Sequence, residues 1–302
     1  MQRRTFLALA ALAARAQAAT RGMQLHLSCG ALGIQASSHQ AIDLASKHGF
    51  DAIDADGKYL QGISAGELQD LLGYMRSKKV GWALAGLPVD FRSDDAAFRD
   101  GMSKFPAYAA GLQRAGVTRL TTWIMPRSET LTYRQNFQQH ATRLREVARV
   151  LNGAGLRFGL EYVGPKTLWA AQRYPFSHTM AETRELIAEI GQPNVGMVLD
   201  SWHWYHAGDS ASDISNLQAK DVVSVDLNDA PANVPKDQMV DGKRELPAST
   251  GIIDLKAFLG ALEKISFDGP VRVEPFNDDV RHMAPDEAAA AAMSGLKKAF
   301  AA

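Results

Sequence analysis

Four apolar runs in the second half of the sequence end on an acid: Leu160-Glu161, Leu199-Asp200, Val225-Asp226 and Val273-Glu274. Taken singly, each acid could be a strand-end residue paired with a loop lysine or arginine. Four on successive runs favour a common purpose. Bare carboxylates crowded together repel one another and lose much of their ionisation. A divalent cation removes that cost, because it prefers hard oxygen donors and cancels much of the charge. Glu161, Asp200, Asp226 and Glu274 therefore read as a metal-ligand set, with His203 beside them in Asp200-Ser201-Trp202-His203.

Such a set needs a scaffold that brings the ends of separate strands to one place. Eight short runs of strand type cover Met23–Leu27, Ala52–Ala55, Gly81–Leu84, Arg119–Ile124, Arg157–Tyr162, Gly196–Leu199, Val222–Leu227 and Val271–Glu274. Segments of helical period lie between them, and Asp286–Phe300 follows the last. Ser38, Ser64, Ser93 and Thr179 stand as helix starts, and Gly49, Gly116 and Gly155 as helix ends. Apolar runs without strict alternation suit a parallel sheet buried on both faces. Eight strand–helix units predict an α/β fold, a single-domain (β/α)8 TIM barrel over residues 19–302, with its chemistry at the strand C-termini. The irregular stretch Asp229 to Gly251 is the best loop candidate for contacting a ligand.

Composition narrows the function classes. The 302 residues hold 33 Lys+Arg and 33 Asp+Glu, without the basic excess that nucleic-acid binding would require. The single cysteine, Cys29, rules out an internal disulfide framework and a cysteine-based zinc cluster. Residues 1–18, MQRRTFLALAALAARAQA, read as an export signal peptide with a twin-arginine-like Arg3-Arg4 pair and an Ala16-Gln17-Ala18 cleavage site. The expected location is periplasmic or otherwise exported. Removal of that segment leaves three net negative charges and no stretch long enough to span a membrane.

The strings GLEYVGPKT, VGMVLDSWHWY, VDLNDAP, RELP, GIIDL and GPVRVEPFN occur in that order. They resemble the sugar phosphate isomerase/epimerase family, the xylose isomerase-like barrels that include inosose dehydratases and ketose 3-epimerases. The resemblance is densest from Gly159 to Asn277. It implies Glu161, Asp200 and Glu274 as metal ligands, with Glu161 and Glu274 doubling as acid/base groups, His203 facing the substrate and Arg244 reaching substrate oxygens. It also implies histidine where this chain has Asp226. An all-carboxylate shell shifts preference from Zn²⁺ toward Mn²⁺ or Mg²⁺. The alternative is that Asp226 does not bind, and water or His203 fills its position.

The chemistry expected of such a site is proton transfer in a small carbohydrate. A bound cation polarises a carbonyl and its neighbouring hydroxyl, so that a carbon-bound proton becomes acidic through a metal-stabilised enediolate. Glu161 and Glu274, on opposite sides, can remove and return that proton for epimerisation. Use of one face gives an aldose–ketose shift, and loss of a β-hydroxyl gives dehydration. His178 joins His203 as a possible shuttle or hydrogen-bond donor, Trp123 could stack on a sugar ring, and Lys166 could hold an anionic group. Trp82, Trp202 and Trp204 read more readily as packing. His26 reads equally well as a mouth residue and as a satisfied core histidine, while Asn228 and Asp229 read as supports for Asp226 and the loop. A lyase or dehydratase of a keto-sugar, 3-keto-glycoside or inosose is the nearest rival, and a non-catalytic carbohydrate-binding protein the next. A DNA repair endonuclease of the same superfamily would need extra histidines at the second and third strand ends, where Asp54, Asp56 and Pro88 stand. No nucleic acid or membrane partner is expected; a homo-oligomer is compatible with the sequence.

Overall fold

Closure of the sheet hangs on its third strand. In the computed structural model, which describes residues 22–301, the strands are β1 (Gln24–Leu27), β2 (Ala52–Ile53), β3 (Gly81–Trp82), β4 (Ala85–Gly86) and β5 (Arg119–Trp123). They continue with β6 (Arg127–Ser128), β7 (Arg157–Glu161), β8 (Tyr174–Pro175), β9 (Val195–Asp200), β10 (Val222–Leu227) and β11 (Pro270–Val273). Hydrogen-bonded neighbours run β3-β2-β1-β11-β10-β9-β7-β5-β4, all parallel. β3 and β4 are two pieces of one extended stretch. The first pairs with β2 and the second with β5, so the two ends of the sheet meet and an eight-stranded barrel closes. The leader read at residues 1–18 lies outside the described residues.

The strands that bear the four acids are the best buried. Every residue of β9 and β10 is buried, as Val, Leu and Met fill the space between barrel and helices. Helices cover the outside by their apolar stripe. In Tyr133–Gly153 the buried residues include His140, Ala141, Leu144, Val147, Ala148 and Leu151, the recurrence of a 3.6-residue repeat. The core is one continuous cluster apart from Ala52, Ala83 and Leu84, which form a small group of their own. Among the described residues, no helix is long and apolar enough to cross a membrane.

Several boundaries differ from the sequence expectation. Ser37, not Ser38, caps the helix Ser38–His48, and its box partner is Gln40. Asp94, not Ser93, caps Asp95–Arg114. Between β9 and β10 the helical segment is short, Ala211–Ser215, and is followed by a 3-10 turn over Ala219–Asp221. Short pieces that the periodicity does not signal are the helices Gly57–Gly62, Lys166–Trp169, Ser201–Ala207 and Asp278–His282 and the antiparallel β6–β8 pair. Most of these sit after a strand C-terminus, where the barrel builds its mouth.

Candidate metal centre and active site

Strand register brings the acids together. Asp226 on β10 lies opposite Asp200 on β9 and opposite Arg272 on β11, and Glu161 ends β7 beside them. Glu161, Asp200, Asp226 and Glu274 each offer an oxygen within 4.8 Å of the others, and so, in a second grouping, do Glu161, Asp200 and the His203 ring. All five residues are buried. Nε2 of His203 lies 3.9 Å from Asp200 Oδ2 and 4.0 Å from Glu161 Oε1.

Asp200 serves two structures at once. Its Oδ1 accepts from the Trp202 N–H (2.7 Å), capping the helix Ser201–Ala207, and from Asn228 Nδ2 (2.9 Å). Its Oδ2 is thereby turned into the site, where Arg244 Nη1 donates to it at 2.8 Å. The cap also fixes His203, three residues further along. Two donors face that ring, the Gly164 N–H at Nδ1 (3.3 Å) and Arg244 Nη2 at Nε2 (3.3 Å). Burial and then the Arg244 charge bring the His203 pKa down to about 3, so the ring is neutral. Gly164 is needed for this approach: a Cβ there would stand 2.4 Å from the His203 carbonyl oxygen.

Two guanidinium groups thread the acids, that of Arg244 buried and that of Arg272 17% exposed. Arg244 comes from the long loop and donates through Nη1 to Asp200 and, at 3.2 Å, to Glu274 Oε2; its Nη2 reaches Asp241 Oδ1 at 2.9 Å. Arg272 donates from Nε to Asp226 Oδ1 (2.8 Å) and from Nη2 to Asp226 Oδ2 (2.7 Å) and Glu274 Oε1 (2.8 Å). Both cations are held more firmly protonated by the acids around them, despite burial. Glu161 is different: its buried Oε1 has no hydrogen-bond partner. Burial, then Glu274, Asp226 and Asp200, push its carboxyl well above the ordinary range. Burial raises Asp200 and Glu274 as well, against the pull of Arg244 and Arg272.

These observations fit a divalent cation. The carboxylates outnumber the two guanidinium groups, which is why burial and mutual repulsion push Glu161, Asp200 and Glu274 upward, and one acid oxygen has no partner. The donor set is all oxygen, the chemistry of a hard cation.

Glu161 and Glu274, with His203 and Arg244, line a cavity of about 370 Å³ whose other walls are Trp123, Met125, Pro126, Arg127, Val163, Leu168, Asp241 and Phe276. Trp123 is 41% exposed and carries the Arg92 guanidinium over its ring at 4.1 Å. Arg127 donates from Nη1 to the Leu168 carbonyl at 3.0 Å, while its buried Nε–H has no partner. Phe276 has φ +39, a strained left-handed backbone at the wall, and the Arg244 guanidinium sits 4.4 Å from its ring centroid.

Other residues singled out from sequence lie elsewhere. His178 faces the Phe176 carbonyl through Nδ1 (2.8 Å) and stacks on Trp169 at 4.7 Å, at the start of Met180–Ile190 and outside the cavity lining. Lys166 pairs with Asp237 at 2.6 Å on the surface, tying a post-strand helix to the long loop. Trp82 donates to the Ala115 carbonyl, Trp202 is fully buried, and Trp204 packs on Phe258. His26 is a core histidine with Nε2 2.9 Å from Asp54 Oδ1. Asn228 orients Asp200 rather than Asp226, and the Asp229 carboxylate accepts from the backbone N–H groups of Ala230, Thr250, Gly251 and Ile253.

Arg272, Arg127 and Asp241 are site residues that the sequence reading passed over. For Arg272 the signal was present. It stands two residues before Glu274 on one strand, and a period of two puts both on one face.

The family profile for xylose isomerase-like TIM barrels matches residues 42–299. An inosose isomerase of Bacillus velezensis is 25% identical over 254 residues, 82% of this chain and 86% of the relative. A xylose isomerase domain protein from Alicyclobacillus acidocaldarius has a solved structure with TM-score 0.81 and 30% identity, covering 92% of this chain and 98% of the other. The structure of IolI with a binding zinc atom gives TM-score 0.76 at 22% identity, over 92% of this chain and 98% of that one. A barrel closed through eight strands, the acids at its mouth and these likenesses together place the chain in the xylose isomerase-like TIM-barrel family.

Proposed function

We propose that the protein is a divalent-metal-dependent isomerase or epimerase of a keto-sugar or related polyol, working by proton transfer. The observation that carries this reading is the partnerless Glu161 Oε1 facing Glu274 across a buried, charge-deficient pocket. The inosose isomerase relative supports a cyclic or open-chain polyol as the substrate class. Glu161, Asp200 and Glu274 would hold the cation, with Asp226 alongside, and the oxygen-only donors favour Mn²⁺ or Mg²⁺ over Zn²⁺. When bound, it would supply Lewis-acid polarisation of a substrate carbonyl and its neighbouring hydroxyl.

The chain's own groups do the rest. Glu161 and Glu274 approach from β7 and from beyond β11, on two sides of the pocket. One removes the carbon-bound proton and the other returns it. Neutral His203 and the unpartnered Arg127 Nε–H orient hydroxyls by hydrogen bonding. Trp123, Met125, Leu168 and Phe276 form an apolar wall against one face of the ring and exclude water. A leader of the kind read at residues 1–18 places this activity outside the cytoplasm.

The test is solvent-deuterium exchange. With Mn²⁺ or Mg²⁺ present, NMR should show deuterium entering one or more members of a panel of ketohexoses and keto-inositols. Glu161→Gln and Glu274→Gln should each lower the exchange rate by roughly 10²–10⁴-fold while circular dichroism stays unchanged. Full exchange in either variant removes the acid/base assignment. Formation of an absorbing unsaturated ketone instead of exchange would make the enzyme a dehydratase.

A further inference from the structure

The metal reading leaves open which acids touch the cation, and the strand register bears on that question. Asp226 is the central member of a row of three, with Asp200 on one side and Arg272 on the other. Arg272 grips it as a fork, with one N–H to each oxygen at 2.8 and 2.7 Å. Two parallel charge-assisted bonds are the strongest pairing a carboxylate finds in a protein. Asp226 is fully buried and cannot turn to water, whereas the Arg272 side chain keeps 17% exposure.

The guanidinium has nowhere else to go. Its Nη2 also donates to Glu274 Oε1 at 2.8 Å, and Nη1 reaches Ser28 Oγ at 3.4 Å. For Asp226 to bind a cation, an oxygen held in the Arg272 fork would have to turn to the metal, which would set that guanidinium, still tied to Glu274, against a second positive charge. None of the other three acids is gripped at both oxygens by a single guanidinium. Glu161 Oε1 has no partner, Asp200 Oδ2 receives one N–H from the loop residue Arg244, and Glu274 receives single N–H groups from two different arginines. With Asp226 and Arg272 cancelling each other, Glu161, Asp200, Glu274 and Asp241 still outnumber Arg244, an excess of negative charge that a divalent ion reduces.

We infer that the cation is held by Glu161, Asp200 and Glu274 alone, and that Asp226 is the fixed counter-ion of Arg272. The pair closes the β10 corner of the site to metal. Arg272 acts as a positioning residue that fixes the Glu274 carboxylate through its Oε1. This rests on the metal-dependent reading above and specifies its ligand set.

The test uses free Mn²⁺ as the probe, titrated by electron paramagnetic resonance into the metal-stripped full-length protein. The charge-balanced variant Asp226→Asn/Arg272→Gln should bind Mn²⁺ within about tenfold of the parent, while Asp200→Asn should lose on the order of 100-fold or more. Circular dichroism and thermal unfolding report whether each variant is folded. If the double variant folds and loses as much affinity as Asp200→Asn, Asp226 is a ligand and the inference is overturned. A second measurement stands even if the variant fails to fold. In crystals of the parent soaked with Mn²⁺, the anomalous peak should lie in bonding contact with Glu161, Asp200 and Glu274 and outside contact with Asp226. A peak bonded to Asp226 overturns the ligand set but not the metal reading. Absence of any divalent-ion binding by the parent removes both.

Discussion

Arg272 shows what one cation does to its neighbours. Breaking a buried pair costs more than the pair contributes, because the survivor keeps its charge with no water to solvate it. Asp226→Asn is therefore expected to destabilise the fold by about 3–5 kcal/mol, whereas Asp226→Asn/Arg272→Gln should recover much of that loss. Urea denaturation of the two variants checks the ordering; a single variant as stable as the parent would show that the pair is not the anchor described. At this scale the sequence was informative about the acids and mute about their partners. Glu161, Asp200, Asp226 and Glu274 announce themselves because an acid directly after an apolar run has few structural excuses. Arg272 was hidden inside such a run, Arg127 begins the two-residue strand β6, too short to show a period, and Asp241 lies in the long loop. Lys166 and His178 carry suggestive chemistry, but local pairing and stacking hold them away from the cavity.

Among the elements, the loop from Asp229 to Gly251 does most to complete the site. It delivers Arg244 and Asp241, and its two ends are gathered on one carboxylate, since Asp229 accepts from four backbone N–H groups near both termini. Thr167 Oγ1 adds a tie to the Met239 carbonyl at 2.9 Å. Asp229→Ala leaves buried N–H groups without acceptors, at roughly 1–3 kcal/mol each where water cannot replace them. That variant should show faster limited proteolysis within 229–251 and a raised KM, with the barrel amides still protected from hydrogen exchange. Unchanged cleavage would mean that the loop is held by other contacts. The loop's importance was legible from its length alone, and the long helices from their apolar spacing. The short mouth helices were not, because one or two turns hold too few residues for a repeat to register. The third strand was misjudged in extent because its two pairing pieces are each only two residues long.

For the molecule as a whole, eight strand–helix units were enough to foretell a closed barrel, and buried histidines set its response to acid. His140 is fully enclosed, its ring at 4.8 Å from that of Phe176 and 5.4 Å from that of Phe91, and its Nδ1–H donates to the Asn136 carbonyl. Burial lowers its pKa from 6.5 to about 4. The unfolded chain therefore takes up this proton first as pH falls. The stabilising contribution is complete above the unfolded value near 6.5 and drains away as pH drops toward 4, by roughly 3 kcal/mol in total. His203 and His206, both lowered to about 3, act in the same direction. Glu161, Asp200 and Glu274, raised by burial, act in the opposite sense, so the His140 share is read as a difference: between pH 7 and 4 His140→Phe should lose less unfolding free energy, or gain more, than the parent. An identical slope would mean that His140 is protonated in the folded state.

A ring has no ends, but this one has a clasp. The stretch from Gly81 to Gly86 holds β2 with one two-residue piece and β5 with another, whereas β7, β9 and β10 run five or six residues each. Counting round the circle, the clasp stands directly across from β10, the strand of Asp226. The fewest ladder pairings therefore fall across the ring from Asp226, and any local opening is expected there first, with β9 and β10 the last to part.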